Sequence, residues 1–513
     1  MNKFSRLTRI SFLLFIFFGL DKLMAVFRTI IIGRQFGLSK ELDVFNAANN
    51  FPDLLFALIS GGALAIAFIP ILSETLSKKG RESAWKLFSR IANLAFLVTA
   101  VLAIMVALLA GPLVRGELGI APGFTPEQQE LAVDLMRLNL IATLIFSISG
   151  LVMAGLQANQ HFLLPAVAPL VYDGGKIFGA VILAPQVGYR VAGIQLPGFG
   201  MGIHGLVYGV ILGAALHLLV QVPGLIKFKF KWFPNIDLHD TAVRKVLRLM
   251  GPRLVSMVFI QMIFLAQDNL ASRLPVGSVT ALSFGWWIQQ VPETILGTAI
   301  ATALLPTLSD QLAAGDNLAF KQTIERSFKV MIGLSLPVAV IISLTSLPFI
   351  QIAFGFTLDE SQMVLWAAQG FLIGLLGHAI VELGVRSFYA KQKPTVPMLV
   401  SALGFVIFIG LAIPLMDVLS SSGIAVANSI SYTIQALILI ILLNRTLPET
   451  FRLGGSLIRG LLSALVAAGV IWMIMSVLSL PISGLLIALT AMIVGTGVCV
   501  IPILPELRLL FQL

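Results

Sequence analysis

Charge is what this sequence has least of. Asp, Glu, Lys and Arg make up 11% of its residues, against 58% hydrophobic ones. A soluble globular chain carries about a quarter charged residues, because it needs them on its surface. With that surface missing, lipid has to be the solvent over most of the chain. Cysteine is nearly absent as well. The single Cys499 excludes a disulfide framework and thiolate metal sites. The histidines (His161, His204, His217, His239 and His378) are scattered without metal-ligand spacing. There is no Gly-rich Walker loop and no convincing Ser-His-Asp set, so no ATP hydrolysis or other enzyme chemistry is expected, and no cofactor or metal. Gly-rich pieces such as Gly61-Gly62 suit close helix packing rather than phosphate binding.

Long apolar runs fill the space left by these absences. A helix needs about 20 apolar residues to cross the hydrocarbon core with its backbone bonds satisfied internally. The short alternating strands of a membrane barrel are not seen. About fourteen spanning segments are expected, the first at 9–33, the second at 44–72, the third at 87–112 and the last at 482–504. The N-terminus is basic and then apolar. No small-residue cleavage site follows it, so it reads as an uncleaved first helix.

The net charge is +10. Loop bias explains the excess without nucleic acid. With a cytoplasmic N-terminus, 24 of the 34 Lys and Arg residues fall in inside loops and five in outside loops. Lys3, Lys78, Lys79 and Arg81 are among the inside group. That asymmetry fixes orientation, and an even helix count puts both termini in the cytoplasm.

The chain also repeats itself. Pro70-Ile-Leu-Ser73-Glu74, preceded by Ala65 to Ile69, returns as Pro306-Thr-Leu-Ser309-Asp310. A looser copy relates the stretch ending at Pro165 to the one ending at Pro397. Six helices separate the copies, so the repeats share one orientation, the parallel duplication of some transporters. The expected architecture is an all-α polytopic membrane protein with two six-helix lobes, 1–230 and 231–450, and a terminal helix pair at 451–513.

Charges inside spanning helices are costly, so they normally face water or one another. Helix one carries Asp21, Lys22 and Arg28, followed by Arg34 and Asp43, with Asp53 in helix two. Asp21 and Arg28 are seven apart and share a face. Arg28 then has two readings: a cationic cavity wall, or an internal pair with Asp21 plus snorkelling at the helix ends. Asp134 with Arg137, and Asp173 with Lys176, are three apart and read as local pairs. Asp268, Glu293 and Glu382 with Arg386 are candidates for the second lobe. Trp286, Trp287, Gln289 and Gln290 make a polar-aromatic stretch that suits a cavity wall.

An ordered set of motifs then resembles one family. It comprises Phe27-Arg28, Gly33-Arg34-Gln-Phe36-Gly37, Leu42-Asp43-Val-Phe45, Phe51-Pro52-Asp53-Leu54-Leu55 and the stretch Gly62 to Glu74. Leu249 to Arg253, Ala271 to Val279, Ala299 to Ser309, and Phe388-Tyr389-Ala390 with Pro394 to Pro397 continue it. Together they are similar to the MurJ/MviN family of lipid II flippases, within the multidrug/oligosaccharidyl-lipid/polysaccharide exporter superfamily. The resemblance implies an alternating-access flippase of the bacterial inner membrane. Its cargo would be lipid II or a related polyprenyl-diphosphate sugar, moved from the inner to the outer leaflet. Its partners would be membrane lipids, this lipid-linked oligosaccharide and, in addition, cell-wall synthesis proteins. By resemblance the substrate-binding residues are Lys22, Arg28, Asp43, Arg34, Trp287 and Gln290. By the resemblance, the family's arginine pair falls here on Phe56 and Ala57 and its helix-eight basic residue on Trp287, so the cavity loses cations. Helix eleven has no carboxylate before Asp417, so no sodium site is expected there. Two alternatives remain open: a drug or metabolite exporter of the same superfamily, and a non-transporting scaffold for envelope synthesis.

Overall fold

A computed structural model describes residues 6–59, 62–191, 193–447, 449–477 and 484–510. Lys3 and Gly61 lie outside the described residues. The chain divides into two compact units, Met1–Arg273 and Leu274–Leu513. The first holds α1 (Arg6–Phe36), α2 (Lys40–Ala48), α3 (Asn50–Ile59), α4 (Gly62–Leu108), α5 (Ala110–Arg115), α6 (Pro126–Ala158), α7 (Leu163–Phe178), α8 (Gly202–Leu219), α9 (Val222–Lys227) and α10 (Thr241–Ala271). The second holds α11 (Ser278–Glu293), α12 (Ile300–Ala313), α13 (Asn317–Phe354), α14 (Leu358–Leu372), α15 (Leu375–Ala390), α16 (Thr395–Leu419), α17 (Ser421–Asn444), α18 (Gly454–Val477), α19 (Gly484–Cys499) and α20 (Leu504–Leu510). Among the described residues the only sheet is a two-residue ladder pairing Arg190 with Gln195 and Val191 with Ile194.

The all-helical membrane fold is as expected, and the spans can be counted among the described residues. Ten described helices are long and apolar enough to cross a membrane, or twelve if each bent pair is one span. The segment expected at 44–72 is divided among α2, α3 and the start of one long element, which also takes in most of the segment expected at 87–112. That element, α4, continues through a kink at Gly80, whose φ of 81° is open to a residue without a Cβ. The surface is inverted relative to a soluble protein. Phe27, Ile104, Leu465 and Trp472 are exposed, whereas Ser149, Asn428 and Glu506 are buried.

Helix ends follow local chemistry. Thr125 and Gln128 form a capping box that starts α6, with Pro126 at its first turn. Thr357 and Glu360 do the same for α14. Ser39 caps α2 by accepting from the Leu42 amide. Two helices run on as π-helical segments, Gly179–Leu183 after α7 and Thr294–Ala299 after α11. Such wide turns recur at functional sites.

In unit 1, α7 and α8 approach until glycine is required. A Cβ on Gly175 would sit 2.4 Å from the Gly213 Cα, and one on Gly209 would sit 2.7 Å from the Gly179 Cα. The segment before α10 is strapped to α4. Trp85 Nε1 donates to the Phe228 carbonyl at 3.2 Å, and Arg90 pairs with Asp237 and Asp240. In unit 2, α18 packs on α13. Glu506, fully buried, accepts from Ser456 at 2.6 Å and from Arg459 Nε at 3.0 Å, which ties α20 to α18.

Candidate functional site

In unit 1, Asp53 and Lys176 line a cavity walled by α3, α6, α7 and α8. On α7, Tyr172 and Lys176 are four apart and share a face, while Asp173 is turned about 100° from Tyr172. The structure uses both directions. Asp173 Oδ1 accepts from Arg28 Nη1 at 2.5 Å, and both side chains are largely buried. Lys176 Nζ lies 4.3 Å from the centre of the Tyr172 ring, a cation–π contact. The local Asp173–Lys176 pair read from the sequence is therefore not formed, and Arg28 is paired across helices rather than with Asp21. Arg137 Nε likewise donates to the Ala107 carbonyl at 3.1 Å rather than pairing with Asp134. Spacing alone could not see these outcomes, because a partner on another helix competes for the same charge.

The cavity has a volume of about 330 Å³. Asp53 enters it from α3, Asn139 and Thr143 from α6, Lys176 from α7 and His217 from α8, with Phe56 and Phe146 as apolar walls. Phe56 and Phe146 meet edge to face at 5.1 Å. His217 Nδ1 is 2.6 Å from Ser149 Oγ, and Gln221 closes that network. Asn139 is 2% exposed, yet neither its Nδ2 nor its Oδ1 has a hydrogen-bond partner. Among the described residues Asp53 and Lys176 form no salt bridge, with each other or elsewhere.

The other expected residues are placed as follows. Lys22 is exposed on α1, and Arg34 is exposed at its last turn. Asp43 is buried on α2. Trp287 and Gln290 belong to α11 of unit 2, both half-buried. Asp268 is bonded within unit 1, accepting from Asn50 Nδ2 at 2.5 Å. Asn139, Tyr172 and His217 escaped the sequence reading. Only the four-residue spacing of Tyr172 and Lys176 hinted at a shared face.

Unit 2 has its own polar cluster. Glu382 pairs with Arg386 one turn along α15, and Arg386 Nη2 donates to Thr302 Oγ1 at 3.2 Å. Thr298, in the π segment, donates to Glu293 Oε1 at 3.2 Å. His378 stacks on Tyr432 at 3.7 Å, and its Nε2 lies 3.1 Å from Asn428 Oδ1. Trp286 packs edge to face on His378 and Phe371, each at 5.3 Å. Gln289 is buried with no partner for its amide. The polar-aromatic stretch of α11 thus turns largely into the protein.

Comparison with known proteins gives one consistent family. Residues 32–492 match the family model described as lipid II flippase MurJ. A lipid II flippase MurJ of Burkholderia cenocepacia is 28% identical over 407 residues, covering 78% of this chain and 75% of that protein. A probable lipid II flippase MurJ of Haemophilus influenzae is 25% identical, covering 82% and 83%. Among solved structures, a lipid II flippase MurJ in an inward closed conformation superposes with a TM-score of 0.77 at 20% identity, covering 98% of this chain and 99% of the other. An inward-facing multidrug transporter of the MATE family and MOP superfamily reaches 0.67 at 14% identity, covering 83% and 94%. At these identities the two structures share the fold.

Proposed function

We propose that this chain, which belongs to the lipid II flippase MurJ family, is a flippase for a lipid-linked peptidoglycan precursor, moving it from the inner to the outer leaflet of a bacterial inner membrane. The observation that carries the reading is the family match across residues 32–492, which runs through both units. The polar interior supports it. A transporter of an amphipathic cargo needs charge inside an apolar bundle, where it is otherwise too costly to keep.

In this reading Arg28 is the principal cation for the cargo's diphosphate, held in place by Asp173. Lys22 adds a second charge on α1. Arg34 and Asp43 flank the end of that helix; within unit 2, Trp287 and Gln290 of α11 are cargo contacts of that unit alone. Alternating access is the expected cycle, with both termini cytoplasmic by the loop-charge bias.

The test is complementation. A bacterial strain depleted of its own lipid II flippase should grow when this chain is expressed in its membrane. Membrane-inserted protein without growth, and without precursor flipping in vesicles, overturns the reading.

A further inference from the structure

The unit 1 cavity is not built for a polyanion. It holds one carboxylate and one ammonium, on different helices, and among the described residues neither is in a salt bridge. Arg28, paired with Asp173, is not among the residues that line this cavity. A diphosphate entering this space would meet the Asp53 carboxylate, and like charges in a confined site repel strongly. A ligand with both signs would satisfy both walls at once.

A second observation points the same way. The Asn139 side chain is 2% exposed, lines the cavity and leaves both its amide nitrogen and its oxygen unbonded. An unmet buried polar group costs about 1–3 kcal/mol, so such groups are kept where something completes them. A primary amide presents one donor edge and one acceptor edge, the pattern that a peptide bond complements. The volume, about 330 Å³, lies at the small end of ligand pockets, and Phe56 and Phe146 supply apolar walls for short side chains.

We propose that the unit 1 cavity binds a zwitterionic aminoacyl or short peptide group, with Asp53 meeting its ammonium, Lys176 its carboxylate and Asn139 its peptide bond. Lys176 is held ready by the Tyr172 ring, which steadies the ammonium without neutralising it. The group has two chemical sources: a free amino acid or peptide, or the peptide portion of a lipid-linked cargo. Only the second rests on the flippase reading.

The experiment uses the full chain in lipid nanodiscs and calorimetric titration with alanylalanine, N-acetyl-alanylalanine and alanylalanine amide, up to about 10 mM. Alanylalanine should bind, and blocking either end should weaken binding by roughly tenfold or more, the worth of a charge-assisted hydrogen bond. Asp53→Asn should erase the penalty of acetylation, and Lys176→Met the penalty of amidation. Asn139→Leu should weaken binding without lowering thermal stability, since its amide makes no bond inside the protein. A wild-type chain that ignores alanylalanine, or binds all three probes equally, overturns the proposal. Vesicles then separate the sources. Slower flipping of a precursor whose free peptide amino and carboxyl groups are blocked assigns the site to cargo. Unchanged flipping with intact dipeptide binding assigns it to a free zwitterion. Dipeptide binding with no flipping of any lipid-linked precursor sinks the flippase reading and leaves this site standing.

Discussion

Two partly buried arginines, one in each unit, find their carboxylates in opposite ways. In unit 2 the arginine on α15 finds its carboxylate one turn away on the same helix, Arg386 with Glu382. In unit 1 the arginine on α1 finds its carboxylate 145 residues later on α7, Arg28 with Asp173. A local pair survives whatever its helix does. A pair between helices exists only while both hold their positions, and it reports on their packing. The same contrast appears in what is left over. Unit 1 keeps Asp53 and Lys176 facing a cavity, whereas the carboxylate of Glu293 in unit 2 is bonded by Thr298 on the adjoining π segment.

Breaking the interhelical pair should produce the largest effect. Asp173→Ala takes the carboxylate away from Arg28 in a mostly buried site, a loss of about 3–5 kcal/mol. Membrane abundance and melting temperature should both fall. The double variant Arg28→Ala with Asp173→Ala should recover abundance but not flipping. If the single variant is as stable as the parent, the pair has no structural role and the contrast between units fails.

Gly175→Val strikes the helix contact that positions α7. Its side chain would run into the Gly213 backbone, where a Cβ already comes within 2.4 Å of the Cα. Overpacking of about 1–3 kcal/mol is expected, read as a lower melting temperature in detergent. Unit 2 also places glycine at such contacts, a Cβ on Gly374 coming within 2.6 Å of the Ser429 Cα. Gly374→Val should therefore cost a similar amount, and a much smaller cost would show that the two units pack by different rules.

Arg28→Lys sharpens the comparison from the functional side. It keeps the charge and loses the fork that suits phosphate oxygens, so flipping should drop by roughly tenfold yet remain measurable. Abundance should stay near that of the parent, because the ammonium still meets Asp173. Unchanged flipping would remove Arg28 from cargo recognition.

The smallest effect belongs to the local pair. Glu382→Gln leaves Arg386 bonded to Thr302 and partly solvated, so less than about 1 kcal/mol should be lost. A loss as large as that of Asp173→Ala would mean that the pair on α15 is not self-contained.

These contrasts mark how far the chain could be read before its structure. The membrane class, the helical architecture and the family were legible, since apolar length and the Gly, Pro and Arg motifs are properties of consecutive residues. The kink at Gly80 was not, because nothing in composition separates a helix that bends from two helices with a loop.

The site divides along the same line. Arg28 could be singled out because a charge deep in an apolar helix is conspicuous wherever it falls. Its partner could not. Asp21, on the same face of α1, and Asp173, on α7, are equally acidic in the sequence, and only helix packing puts Asp173 within reach of the guanidinium. Lys176 was assigned to Asp173 by spacing, and once Arg28 takes that carboxylate the lysine is left to the Tyr172 ring and the cavity. The sequence by itself determined which segments enter the membrane and which charges they carry, because the free energy of burying apolar surface depends on composition over a short window. The tertiary structure decided which charges pair and which remain to meet a ligand, because electrostatic energy depends on distances of a few ångströms between residues far apart in the chain.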